Sequence, residues 1–244
     1  MKELLTLSHS EFEKIIGKRK SKILIIFLGI ILLGMGGLYF YVENTLNLTS
    51  MSGSNFSVWT LGLLMGFILP FFAAMIIADS VAGESQNGTM TNVYALPVSR
   101  QTMYLSKIVA SLYYVAIVVG IILGMTLLIG IITTGFSIFL SMGLILATYL
   151  KAIAALGLVI VGVGYLALWM KSSSMTLVTS MLLFVAMHTL GLFLGRLDQA
   201  LPTTVIGSFD KIFSQNHISL LVYMVSYYII LIIIGIFKFQ KKEV

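Results

Sequence analysis

Long uncharged runs separated by short polar ones set the plan of this chain. Residues 23–42 carry no charge, and a run of that length can cross a bilayer as a helix. No charge then appears between Glu43 and Asp79. The second span is placed at residues 58–78, with Pro70 inside it. A proline there leaves a carbonyl without its helical donor and kinks the helix. Residues 108–150 are also uncharged, too long a run for one crossing and short for two with a turn. The third span is therefore placed at residues 108–132, with the chain turning at Thr133, Thr134, Gly135 and Phe136. Residues 137–148 either lie along the outer surface or begin a long fourth helix that ends near Met170. A polar turn, Lys171 to Ser174, leads to a fifth span at residues 175–194, and a sixth follows at residues 218–237.

The pattern predicts an all-α integral membrane protein with six transmembrane helices in one transmembrane domain, residues 1–244. Composition supports it. Hydrophobic residues make up 59% of the chain and charged ones 10%, against about 25% charged in soluble domains. There are no cysteines, which excludes disulfides, thiolate zinc sites, iron–sulfur clusters and cysteine nucleophiles. The three histidines, His9, His188 and His217, show no metal-type spacing, so no metal site is expected.

The net charge of +6 is read as topology rather than as a nucleic-acid surface. With the N-terminus inside, only Lys151, Arg196 and Lys211 of the fifteen basic residues lie outside. That bias orients a membrane protein, and an even number of spans puts the C-terminus inside too. Residues 35–41 do not resemble a cleavage site, so the first helix is expected to remain.

Several segments are candidates for function. Residues 1–22 read as an amphipathic helix in the inner interface. Leu5, Phe12 and Ile16 recur near helical spacing, while Lys14, Lys18 and Arg19 face anionic lipid. Ser10 and Glu13 have the spacing of a capping box at a helix start. Residues 79–107 read as an inner polar loop. Within it, Asn87-Gly88 marks a turn and Thr89 caps a short helix whose apolar face is Met90, Val93 and Tyr94. Pro97 ends that helix and Ser99 caps the next. A short transverse helix on two hinges suits docking into another protein's groove.

Glu84, Gly88-Thr89, Pro97, Ser99-Arg100 and Lys107, in that order between the second and third spans, resemble the inner loop of type-2 ABC exporter permeases. The basic N-terminal helix, the six spans and the serine-rich turn after the fourth extend the resemblance over most of the chain. It implies that residues 79–107 carry a coupling helix, with Glu84, Gly88, Thr89, Met90, Val93, Tyr94, Pro97, Ser99 and Arg100 as the contact to an ATPase. It implies two cytosolic ATP-binding subunits as partners, with ATP and magnesium bound there, and a second permease, identical or not. It also implies outward movement of an amphipathic or lipid-linked substrate, and by analogy a bacterial peptide exporter or immunity transporter in the cytoplasmic membrane. Glu84 and Arg100 are expected to pair and shape the coupling helix.

No phosphate-binding loop of the Gly-x-x-x-x-Gly-Lys-Ser/Thr kind occurs, so no ATPase or other enzyme activity and no cofactor are expected on this chain. Charges within spans are scarce, which disfavours an ion-coupled carrier. An ATPase-independent secondary transporter and a peptide-sequestering immunity protein stay open as alternatives. Lys151 is expected to reach the interface from the outer end of the fourth span. Pro70 and His188 are candidates for the substrate path. Gly62/Gly66, Gly120/Gly124 and Gly191/Gly195 each share a helix face that permits close packing, within a subunit or between subunits. The outer loop, residues 195–217, forms a lid or packs locally.

Overall fold

The computed structural model describes residues 2–46, 53–88, 98–213 and 217–241. Among them, six helices are long and apolar enough to cross a membrane. The chain is an all-α multi-pass membrane protein.

The first helix, α1 (Lys2–Gly17), precedes the first span, α2 (Arg19–Leu46). The second span is broken into α3 (Gly53–Gly66) and α4 (Ile68–Gln86). Phe67 leaves helical geometry between them, at φ −152° and ψ −45°. Pro70 explains the position of the break. It has no N–H for the carbonyl four residues back, that of Gly66, and its ring crowds that turn. The helix resumes with the Phe71 N–H bonded to the Phe67 carbonyl at 3.0 Å.

The predicted second span was too short at its basic end. The helix continues through Asp79 and Glu84 to Gln86, so the polar stretch once read as a loop from residue 79 starts as helix. It ends at Asn87, whose N–H reaches the Gly83 carbonyl at 3.0 Å, and at Gly88, in the left-handed region at φ 69°. The next helix, α5 (Arg100–Thr134), opens with the Ser99 hydroxyl accepting from the Thr102 N–H at 3.2 Å. The helix that Ser99 was expected to cap thus runs through residues 100–107 into the third span. At about 50 Å from its 35 residues, α5 exceeds a hydrocarbon core. Gly135, also at φ 69°, stops it.

A 3-10 segment, Gly135–Ser141, feeds directly into α6 (Met142–Ala167), which favours the long fourth helix. Ser172 caps α7 (Ser173–Leu194) by accepting from the Met175 N–H at 3.2 Å. The connection after α7 is structured. It holds a 3-10 turn (Gly195–Ala200), a short helix α8 (Pro202–Gly207) and a second 3-10 turn (Phe209–Lys211). The last span is α9 (Ile218–Gln240).

The centre of the bundle is α4 and α6, with 67% and 61% of their membrane windows buried. The outermost span is α7, at 11%. Two close approaches need glycine. A side chain at Gly157 on α6 would collide with the Tyr228 hydroxyl, which instead donates to the Ala154 carbonyl at 2.6 Å. A Cβ at Gly235 on α9 would lie 2.5 Å from the Tyr104 hydroxyl. The predicted glycine faces are not these. Gly62, Gly66, Gly120 and Gly124 look onto open space, so they do not pack this chain's helices together. Gly191 does pack, against Asp198 of the following turn.

Candidate functional site

One end of the bundle gathers α1, the start of α2, the end of α4 and the start of α5; we call it the basic end. Its centre is Lys107, seven residues along α5 and 1% exposed. The Lys107 ammonium donates to Glu84 Oε2 at 2.7 Å and to Glu11 Oε2 at 2.9 Å. Glu11, on α1, is 4% exposed. Its other oxygen accepts from Lys14 at 2.5 Å, and Lys14 also stands 3.9 Å from Glu84. One cation therefore binds two carboxylates from two other helices, and a second cation closes the set.

The flank of this cluster is more exposed. Lys20 pairs with Asp79 at 3.2 Å, and the Lys18 ammonium donates to the Asp79 carbonyl at 3.2 Å. About two turns along α5 from Lys107, the Tyr114 hydroxyl donates to the Ser21 carbonyl of α2 at 2.9 Å. Burial alone would raise the Glu11 carboxyl, but the Lys107 and Lys14 ammonium groups outweigh it and hold it below its ordinary value. Burial pulls Lys14 down, and Glu11 more than reverses that. Lys18 differs: burial pushes its ammonium down, and Asp79 and Glu84 do not fully offset it.

This geometry revises the expected N-terminal helix. Ser10 and Glu13 lie in the middle of α1, so they are not a capping box at a helix start. The packed face of α1 is Ser8, Glu11 and Ile15, set against α5. Leu5 and Ile16 remain exposed and Lys14 turns to Glu11. The helix is bolted to the bundle by charge rather than only floating on lipid.

The predicted coupling residues divide accordingly. Thr89, Met90, Val93, Tyr94 and Pro97 lie outside the described residues. Glu84, Gly88, Ser99 and Arg100 form the two stems on either side. Glu84 takes Lys107 as its cation, where Arg100 was expected. The Arg100 guanidinium donates instead to the Gln240 carbonyl at the end of α9, at 2.8 Å. Nearby, the Ser173 N–H donates to the Gln86 side chain at 3.2 Å, and Lys238 sits 3.7 Å above the Trp169 ring. The turn after α6 and the end of α9 are thereby tied to the same end.

The two candidate path residues are not brought together. Pro70 is buried inside the bundle, whereas His188 is exposed on α7. Lys151 donates to the Asp210 carbonyl at 2.8 Å, holding the structured connection after α7. Among the described residues no cluster of acidic or histidine side chains could hold a metal.

Sequence reasoning missed Glu11, assigned Lys14 to lipid, used residue 79 only as a loop boundary, and quoted Lys107 without its role. The available signal was a lysine one position before a 43-residue uncharged run. A cation so placed on a membrane helix calls for carboxylate partners, and Glu11, Asp79 and Glu84 are among the acids expected on the same side of the membrane.

Among the described residues the arrangement is an ionic core with no metal-type cluster. It has a segment, residues 89–97, whose two stems are locked to one ionic core. A family model of ABC-2 family transporter proteins matches residues 7–188, from α1 into α7. The chain belongs to this family. It is the membrane-spanning permease component of an ABC transporter, a component that normally pairs with ATP-binding subunits. No curated protein matches this permease.

Proposed function

We propose that this permease is half of an ATP-driven exporter. A second permease completes the path, and two ATP-binding subunits dock at the basic end, which faces the cytoplasm. The loop between Gly88 and Ser99 is the coupling segment. The observation that carries this reading is the double fastening of that loop. Glu84 before it and Lys107 after it share one ion pair with Glu11, at 2.7 and 2.9 Å. A push on the loop therefore moves α1, α4 and α5 as a unit, because separating them would bare buried charge. Motion can be absorbed at Phe67, where the second span is already broken.

The substrate is amphipathic or hydrophobic, and we favour a peptide exported across a bacterial cytoplasmic membrane. The exposed faces of the spans support this: Ile30 and Leu33 on α2 and Leu182 on α7 are each more than 60% exposed and apolar. They suit lipid, a second permease and an apolar cargo alike.

The test is co-reconstitution with its ATP-binding subunits in vesicles, measuring ATP hydrolysis and entry of a labelled amphipathic peptide. Lys107→Met should keep ATP hydrolysis while peptide movement per ATP falls. Transport that persists without the ATP-binding subunits, driven by an ion gradient, would overturn the reading.

A further inference from the structure

Beside the ionic core, and not part of it, lies a second polar feature that the transport reading does not use. It is an open pocket of about 350 Å³ at the elbow between α1 and α2. Lys18, Arg19 and Lys20 line one side, and Gln86, Asn87 and Ser174 line the other. Three consecutive cations thus converge on a cavity that holds one carboxylate, Asp79. That carboxylate is already engaged by Lys20 at 3.2 Å.

We propose that this pocket binds the phosphate of an anionic phospholipid headgroup. Basic pockets between membrane helices on the positively charged side recognise such headgroups. Arg19 brings a guanidinium, whose planar fork matches two phosphate oxygens. The Lys18 ammonium is half-buried and, among the described residues, has a backbone carbonyl of Asp79 as its hydrogen-bond acceptor, at 3.2 Å. An anion in the pocket adds to the attraction of Asp79 and Glu84, which does not fully offset the burial of this cation. The start of α7 borders the pocket as well, and its dipole favours the same charge.

A lipid, rather than free phosphate, follows from what continues past the pocket. On α2, Ile23, Ile26 and Ile30 recur on one face, each 63% exposed. At the start of α7, Met175 and Val178 are 54% and 60% exposed. An acyl chain can descend from the headgroup along these residues without leaving the apolar layer. Arg19, Lys20 and Ile23 set the polar-to-apolar change within one turn of the same helix.

The experiment uses the full chain in nanodiscs of phosphatidylcholine with increasing phosphatidylglycerol, counting retained lipids by native mass spectrometry. One phosphatidylglycerol per chain should be retained in preference to phosphatidylcholine. Arg19→Gln should weaken that retention about fivefold, the effect of one basic residue at an anionic surface. Lys22→Gln, a neighbouring cation outside the pocket, should leave it unchanged. Asp79→Asn should strengthen it, because the competing carboxylate is gone; a gain cannot arise from misfolding. Added inorganic phosphate distinguishes the source. Displacement of the lipid by phosphate would overturn the lipid and leave a free anion as ligand. Equal retention of phosphatidylcholine, or equal loss in Arg19→Gln and Lys22→Gln, would overturn the pocket altogether.

Discussion

The two ends of this permease hold their helices together by different chemistry. At the basic end, Lys107 is buried against two carboxylates on two other helices. At the far end, the tie is a triangle of neutral hydroxyls from α3, α5 and α6. Ser57 and Thr126 are 2.9 Å apart, Thr126 and Tyr149 3.0 Å, and Ser57 and Tyr149 3.2 Å, all buried. Above it, Thr204 donates to Asp198 at 2.5 Å and the Tyr227 hydroxyl donates to the Ala200 carbonyl. Each neutral bond adds little and can be exchanged singly, whereas a buried ion set fails as a whole. The break at Phe67 lies between the two regimes, with α3 in the hydroxyl triangle and α4 in the ionic core. Separating the helices of the basic end would bare charge, whereas those of the far end can part bond by bond.

The sharpest way to break this contrast is Lys107→Met. It leaves Glu11 and Glu84 facing each other without their buried cation, with the half-exposed Lys14 alone beside both. Removing one partner of a buried ion set costs about 3–5 kcal/mol. We expect α1 to detach, read as fast hydrogen exchange in residues 2–17, while α6 and α9 stay protected. Adding Glu11→Gln should recover part of the loss, because one of the stranded charges disappears.

Acid should act on the same core without a mutation. Glu11 has a carboxyl held below its ordinary value of 4.5 in the folded protein. A depressed carboxylate contributes stability that is fully present above the unfolded value. That contribution is lost as pH falls through the folded one. The protection of α1, with exchange corrected for its intrinsic pH dependence, should therefore be constant above about pH 5 and fall as pH drops below 4.5. Glu11→Gln should be weaker at neutral pH and lose this acid dependence.

How far the sequence carried this picture depends on what each residue needs from its neighbours. Uncharged runs place the six spans, because burial in lipid is a requirement each residue meets alone. Gly88, Ser99, Gly135 and Ser172 end or start helices where local backbone rules put them. Pro70 announces the break, three residues after the point where it falls. The ionic core was not legible. Asp79 and Glu84 are polar, and polarity alone reads as loop; within the helix they are matched by cations from other parts of the chain, Lys20 for Asp79 and the buried Lys107 for Glu84. The glycines taught the same lesson. Four-residue spacing shows that Gly120 and Gly124 share a face, but not which helix that face meets. The contacts fall instead at Gly157 and Gly235, where tyrosines from other helices arrive.

At the far end the expected effects are smaller. Tyr149→Phe removes one corner of the triangle, and a neutral hydrogen bond is worth about 1 kcal/mol. Ser57 and Thr126 still have each other at 2.9 Å, so neither is stranded. A modest fall in thermal stability, with α1 exchange unchanged, would show that the two ends are held independently. A detached α1 in this variant would mean that they are one network.

The smallest effect should come from Lys20→Gln, and it separates burial from charge as the source of the contrast. Lys20 and Asp79 form an ion pair at 3.2 Å at the same end of the molecule, but the lysine side chain is 63% exposed. Exposed pairs are screened and contribute about 0–1 kcal/mol. Lys107 has similar distances and 1% exposure. Lys20–Asp79 ties α2 to α4, as Lys107 ties α5 to α1 and α4. If charge alone decided, loss of each lysine would open the helix it fastens; if burial decides, Lys20→Gln leaves exchange at the start of α2 at the wild-type rate while Lys107→Met opens residues 2–17. Salt gives a second reading on one sample. Raising ionic strength weakens a solvent-facing pair and barely touches a buried one, so wild-type α1 should stay protected in high salt.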